Sequence, residues 1–213
     1  MSWKLFWLLV EAARLTILLS VISVSIGFLL SSLVCAAVMS THRSARIAGK
    51  LFVSFFRGTP LLVQLLLIYY LLPQIGLNVP SEVAAIVGMS LCTAAYQAEI
   101  LRGGFSSVPR GLIEAANMCG FSKFAIFRRI RLPIAVQLTI PALISEAIMM
   151  LKSSSLVSVV GVVELSRMAQ DLAASTYRPL ELFAAAGLIY LIINLVVAGF
   201  GLQLEKRMQW GRT

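Results

Sequence analysis

The stretch "EAANMCGFSKFAIFRRIRLP", Glu114 to Pro133, is polar and basic, whereas the sequence on both sides of it is apolar. Residues 111–119 suit a short helix, because Glu114, Ala115 and Ala116 are strong helix formers. Gly120 can take the left-handed backbone that ends a helix, and Ser122 can cap a second one. In that second helix Phe121, Phe124 and Phe127 share one face, while Lys123, Arg128, Arg129 and Arg131 occupy others. Pro133 opens the next helix, where its missing N–H costs little. Two helices meeting at a glycine make a projecting knob. Two readings fit it: an interfacial helix with its arginines on lipid phosphates, or a docking element for a soluble protein.

The rest of the chain belongs in lipid. Of its 213 residues 59% are hydrophobic and only 13% charged, with a mean hydropathy of +0.92; a soluble domain carries about a quarter charged residues. A spanning helix needs about 20 mainly apolar residues. Five stretches meet that need, at about 12–39, 58–80, 82–102, 133–153 and 182–204. The expected fold is an all-α membrane protein, a single domain over 1–213 with five transmembrane helices. The first apolar run is too long for a signal-peptide core and lacks an A-x-A exit, so no cleavable leader is expected. Pro73, Gly76 and Pro80 mark a short turn between the second and third spans. Between the fourth and fifth, "VVELSRMAQDLAASTYRP" predicts a short helix at about 162–178.

The charges give an orientation. Arg43, Arg46, Lys50 and Arg57 precede the second span; Arg102, Arg110, Lys123, Arg128, Arg129 and Arg131 lie between the third and fourth; Lys206, Arg207 and Arg212 end the chain. These thirteen of the 18 basic residues fall on one side, which the positive-inside rule makes cytoplasmic. The other side holds Lys4, Arg14, Lys152, Arg167 and Arg178 among Glu11, Glu82, Glu164, Asp171 and Glu181. The N-terminus is therefore expected outside and the C-terminus in the cytoplasm. The net charge of +9 reports topology rather than a nucleic-acid partner. His42 is the only histidine, and Cys35, Cys92 and Cys119 are far apart. That excludes most metal sites and any cysteine or serine triad, and buried inert thiols are expected. No G-x-x-x-x-G-K-[ST] phosphate loop occurs, so the chain cannot be its own ATPase.

Glu114-Ala115-Ala116, Gly120 and Ile130-Arg131-Leu132-Pro133 resemble the EAA loop of permease subunits of bacterial ABC importers, with the spacing matched at every fixed position. "FRGTPLLVQ" (Phe56 to Gln64), "AAYQAEILRGGFSSVPRGLIEAA" (Ala94 to Ala116) and "LKSSSLVSVVGVVELSRMAQDLAASTYRP" (Leu151 to Pro179) are similar to the polar amino-acid uptake branch; the methionine branch, which shares the five spans and the EAA loop, is the alternative, and "FRGTPLLVQ" favours the polar one. The resemblance implies a coupling loop at 111–132 that docks in a groove of a separate ATPase, with Glu114, Ala115, Ala116, Gly120, Ile130, Leu132 and Pro133 as its fixed positions. It also implies a second permease subunit, an external solute-binding protein, an amino-acid substrate and a place in the bacterial cytoplasmic (inner) membrane. No cofactor is expected on the chain itself; ATP-Mg belongs to the ATPase. Three departures from the family's pattern occur: Cys119, Arg131 and the pair Ser153-Ser154. A self-contained channel or secondary carrier would show inverted repeats, and none is visible. A scaffold that uses the knob only to recruit a protein is the third class.

Charges inside a membrane are expensive and mark function by default. Glu146 lies about 12 residues beyond Leu132-Pro133, roughly 18 Å along a helix. It either receives a substrate's cationic group or pairs with Lys152. Lys152, with Ser153, Ser154 and Ser155, lines the outer path, or Lys152 snorkels to the outer headgroups. Gln64, Tyr96 and Gln97 are polar positions inside spans, suited to the pathway or to interhelical hydrogen bonds. Glu99 is read as structural, with Arg102 one turn away. In the first span Thr16, Ser20, Ser23, Gly27 and Ser31 recur every three or four residues, as a close-packing face does.

Overall fold

The structure, a computed structural model, describes residues 3–209, and every regular element in that range is helical. Arg212, counted above with the basic tail, lies outside the described residues. The first helix, α1 (Trp3–Val38), starts well before the predicted residue 12. Glu11 and Arg14 limit an apolar run but not a helix. Leu9 is fully buried with Ala13 in a cluster formed with residues 165–189, and that burial extends α1.

The second predicted span is corrected. The segment 58–80 is not one helix. A 16-residue helix, α2 (Arg43–Gly58), occupies what the basic residues had suggested was a connection, and a 14-residue helix, α3 (Leu61–Gln74), follows it at a bend of 106°. The break falls at Thr59-Pro60, because proline disfavours helical backbone in the residue before it and Thr59 is extended at φ −107° and ψ 143°. Gln64 holds the bend shut. Its Nε2 donates to the carbonyls of Phe56 at 2.8 Å and Thr59 at 2.9 Å and to the Thr59 hydroxyl at 2.9 Å. At about 1.5 Å per residue α3 covers roughly 21 Å, short of a hydrocarbon core of about 30 Å.

Helix α4 (Ser81–Ser106) is the hub. Its small residues Ala84, Ala85, Gly88, Ala94, Ala95 and Ala98 are buried, and α1, α2, α3 and α7 (Leu132–Ser153) all pack on it. Thr16, Ser20, Ser23, Gly27 and Ser31 are buried as a packing face should be. A Cβ on Gly27 would lie 3.2 Å from the Ser90 carbonyl oxygen and against the Thr93 methyl. One on Gly104 would lie 2.9 Å from the Ala135 carbonyl oxygen on α7. Small residues let helices approach where lipid supplies no hydrophobic drive between them.

The knob is built from α5 (Arg110–Met118) and α6 (Lys123–Ile126). Gly120 has φ +77°, and the amides of Gly120 and Phe121 donate to the carbonyls of Asn117 and Ala116, a Schellman close to α5. The Ser122 hydroxyl accepts from the Ala125 amide at 3.2 Å and caps α6. No break follows at Leu132-Pro133. The chain passes through a π-helical turn, Phe127–Arg131, straight into α7. The ring of Pro133 would meet the carbonyl four residues back in a regular helix; the turn relieves it, with the Leu132 amide donating to Phe127.

After α7 a 3₁₀ segment, Ser154–Val160, turns at Gly161 (φ +87°) into α8 (Leu165–Thr176). The short helix thus begins at 165, not 162, because the Glu164 carboxylate caps it through the amides of Ser166 and Arg167. The last helix is α9 (Pro179–Gln209). Among the described residues four helical stretches are long and apolar enough to cross a membrane, or five if the bent α2–α3 pair counts as one span.

Gly27→Leu and Gly104→Leu each force α4 away from a neighbour. Overpacking of this kind costs about 1–3 kcal/mol, so both variants should unfold in detergent at lower temperature than the parent, whereas Gly103→Ala, whose Cβ meets nothing within 4 Å, should not.

Candidate functional site

Three charged or polar positions of α4 and α7 meet at the middle of the bundle. Glu146 on α7 is 4% exposed. Gln97 Nε2 donates to its Oε2 at 2.9 Å, and the Thr93 hydroxyl donates to its Oε1. Thr93 and Gln97 are one turn apart on α4, so both reach the same side chain. Lys152 is exposed at the end of α7, so the expected alternative of a Glu146–Lys152 pair is not formed; α4 supplies the partners instead. The Gln97 Oε1 atom is buried without a hydrogen-bond partner. Burying a carboxylate costs several kcal/mol unless its lone pairs are met, and here two donors meet it with no cation beside it.

On the adjoining positions of the same helices lies a cavity of about 380 Å³, lined by Cys92 and Tyr96 of α4, Met149, Met150 and Ser153 of α7, and the α2–α3 bend from Arg57 to Leu61. The Arg57 guanidinium lies over the Tyr96 ring, 5.2 Å from its centre. Arg57 also approaches Glu99 at 3.9 Å, but Arg102 holds Glu99 more closely at 2.7 Å, as the structural reading of Glu99 required. An arginine that is only loosely paired, stacked on an aromatic ring and facing a cavity, presents a planar fork suited to a carboxylate.

The remaining predicted residues fall elsewhere. Gln64 spends its amide nitrogen on the bend and is 2% exposed, so it shapes the cavity from behind. Ser154 is buried and its hydroxyl donates to Leu151; Ser155 donates to Lys152 and Ser153 to Met149. Of these three, Ser153 lines the cavity. Sequence reasoning did not single out Thr93, Arg57 or Thr59. The i to i+4 step from Thr93 to Gln97 was the available signal for the first. The second and third stood within "FRGTP", and only the bend turns them inward.

The knob is a second cluster. Glu114 and Ala115 are exposed on α5 while Ala116 is buried. Around them Met118 is 91% and Phe124 71% exposed, with Leu112 and Phe121 also open. Cys119 is exposed, which corrects the expectation of three buried thiols; Cys35 and Cys92 are buried. Phe127 stacks on Phe105, centres 5.9 Å apart, so the knob is anchored to the end of α4 as well as to α7.

Residues 23–210 match the family described as "Binding-protein-dependent transport system inner membrane component". The chain belongs to that family. It is a permease component of the inner membrane. It is 38% identical over 205 residues to the octopine transport system permease protein OccM of Rhizobium meliloti, covering 92% of this chain and 84% of that one. It is 34% identical to the glutamine transport system permease protein GlnP of Escherichia coli strain K12, over 98% of both. A crystal structure of an amino acid ABC transporter with histidines superposes at a TM-score of 0.89, with 34% identity over 94% of both chains. The MetNI methionine ABC transporter superposes at 0.79 with 21% identity, a likeness of fold alone.

Thr93→Val and Gln97→Leu each leave one oxygen of the Glu146 carboxylate without its donor. Either change should lower the unfolding midpoint by an amount equivalent to about 1–3 kcal/mol. Adding Glu146→Leu should restore much of the loss, because the stranded charge is then gone; additive destabilisation in thermal melts counts against this geometry.

Proposed function

We propose that this chain is the membrane-spanning permease of an ATP-driven amino-acid importer, moving a polar amino acid, basic ones included, across the cytoplasmic membrane by alternating access. The observation that carries the substrate class is a cavity-facing arginine at the end of α2 together with a buried glutamate on α7, one turn from Met149 and Met150, which line the same cavity. Arg57 receives the substrate's carboxylate, and Glu146, released from Thr93 and Gln97, receives its cationic end. Tyr96 and Ser153 line the way between them, Lys152 with Ser154 and Ser155 forms the outer approach, and Gln64 fixes the bend that aims Arg57. Relatives named for octopine, nopaline, glutamine and arginine transport support an amino-acid substrate.

The working assembly pairs this permease with a second permease subunit, two ATPase subunits carrying ATP-Mg, and an external solute-binding protein. Five spans, with the α2–α3 pair as the second, run with the N-terminus outside and the C-terminus in the cytoplasm. That puts the 111–132 loop on the cytoplasmic side. There Glu114, Ala115, Ala116 and Gly120 form the part held by the ATPase, and Ile130, Leu132 and Pro133 join it to α7. Because α6, the π-helical turn and α7 are continuous, a displacement of the knob reaches Glu146 without a flexible joint. From Leu132 that is 14 residues, roughly 21 Å of helix. Motion then takes the form of a rigid-body rocking of spans.

Two measurements test this reading. In proteoliposomes holding the permease, its ATPase and its binding protein, Glu146→Gln should cut uptake of arginine at least about tenfold more than uptake of glutamine, the loss of one charge-assisted contact. Equal loss for both amino acids would reassign Glu146 to packing. Glu114→Lys and Gly120→Asp should abolish uptake while the chain still inserts and still co-purifies with the second permease; retained uptake would remove the coupling role from the loop.

A further inference from the structure

Helix α2 has three faces, and only one of them meets the protein. Gly49 and Val53 are buried, and Ala45, Phe52 and Phe56 are half-buried beside them. This face packs on the last turns of α1 and α4: a Cβ on Gly49 would lie 3.0 Å from the Val38 amide nitrogen, and Val53 shares a cluster with Cys35, Val38, Ala98 and Leu101. A second ridge, Ile47, Leu51 and Phe55, follows the four-residue step along the outer side. These side chains are 47%, 65% and 50% exposed. The third ridge is basic. Arg43, Arg46 and Lys50 are all exposed, Arg57 continues their line, and α2 contains no acidic residue. At about 100° per residue the apolar and basic ridges lie roughly a third of a turn apart.

The helix also lies at a telling depth and angle. Its middle packs at the level of Val38 and Leu101, both near the ends of their helices, while its Arg57 end reaches Tyr96, deeper in the bundle. The helix is therefore inclined, with its first turns, which carry Arg43, Arg46 and Lys50, at the membrane surface and its last turn inside the bundle. One ridge points into acyl chains while its neighbour points at headgroups, which is the geometry of an interfacial amphipathic helix. Its arginines and lysine carry the opposite charge to lipid phosphates, and each such contact near an anionic surface is favourable. A two-fold contact of this ridge with a second copy is disfavoured, because it would bring the two basic ridges together.

We propose that α2 is a lipid-binding helix whose Ile47–Leu51–Phe55 ridge lies among acyl chains and whose Arg43, Arg46 and Lys50 side chains bind the phosphates of anionic phospholipids. The leaflet is the cytoplasmic one on the orientation proposed above; the lipid contact itself does not depend on transport. None of these six residues lines the Arg57 cavity.

The test uses the full chain with Trp3, Trp7 and Trp210 replaced by Phe and Leu51→Trp as the reporter, reconstituted in phosphatidylcholine mixed with phosphatidylglycerol. Brominated phosphatidylglycerol should quench Trp fluorescence about threefold or more better than brominated phosphatidylcholine of the same chain position, given the favourable energy per basic residue. That preference should fall as salt is raised, and vanish in Arg43→Gln/Arg46→Gln/Lys50→Gln. The salt titration reads the same interaction if the triple variant does not fold. Equal quenching by the two lipids overturns the anionic preference. Absence of quenching by either shows protein over the ridge, a second permease subunit among the candidates, and overturns the proposal altogether. Failure of the transport reading would leave the quenching pattern unchanged.

Discussion

The structure depends on the close approach of α1 and α7 to α4. Lipid gives apolar side chains no reason to leave it, so helices associate where their backbones can come close enough for dispersion and for interhelical hydrogen bonds. Gly27 and Gly104 provide that clearance, with Ser90, Thr93 and Ala135 at the contact. Once α4 is held there, Thr93 and Gln97 face Glu146 and a carboxylate becomes tolerable in the middle of the bundle. The same contact sets the wall against which the α2–α3 bend places Arg57.

The cost of a buried charge explains why the site is compound. A lone carboxylate in this position would be paired or neutralised. Here it is hydrogen-bonded by the neutral side chains of Thr93 and Gln97. Arg57 is the mirror case: its guanidinium is only loosely paired and is held by an aromatic ring.

Much of this was legible in the sequence for reasons that are local. A helix cap is decided by a few consecutive residues, so Gly120 and Ser122 announced the ends of α5 and α6. The three- and four-residue spacing of Thr16 through Ser31 announced a packing face. The misreadings share a cause. Charged residues limit an apolar stretch but not a helix: α1 runs through Glu11 and Arg14, and α2 starts at Arg43 and runs through Arg46 and Lys50, because these helices bury Leu9 and Val53. Cys119 was grouped with buried thiols, yet its helix end projects from the bundle.

By itself the sequence determined that the chain is helical, lies in a membrane and carries a helix–glycine–helix knob beside a span bearing Glu146, because periodicity, hydropathy and capping are properties of neighbours along the chain. Tertiary structure alone decided which residues meet. It turned Thr93 and Gln97, and not Lys152, toward Glu146, since α4 and α7 cross there and Lys152 ends its helix in the open. It folded "FRGTP" through 106° so that Arg57 faces a cavity, a direction set by the Gln64 hydrogen bonds and by the surface of α4 rather than by any pattern in the five residues themselves.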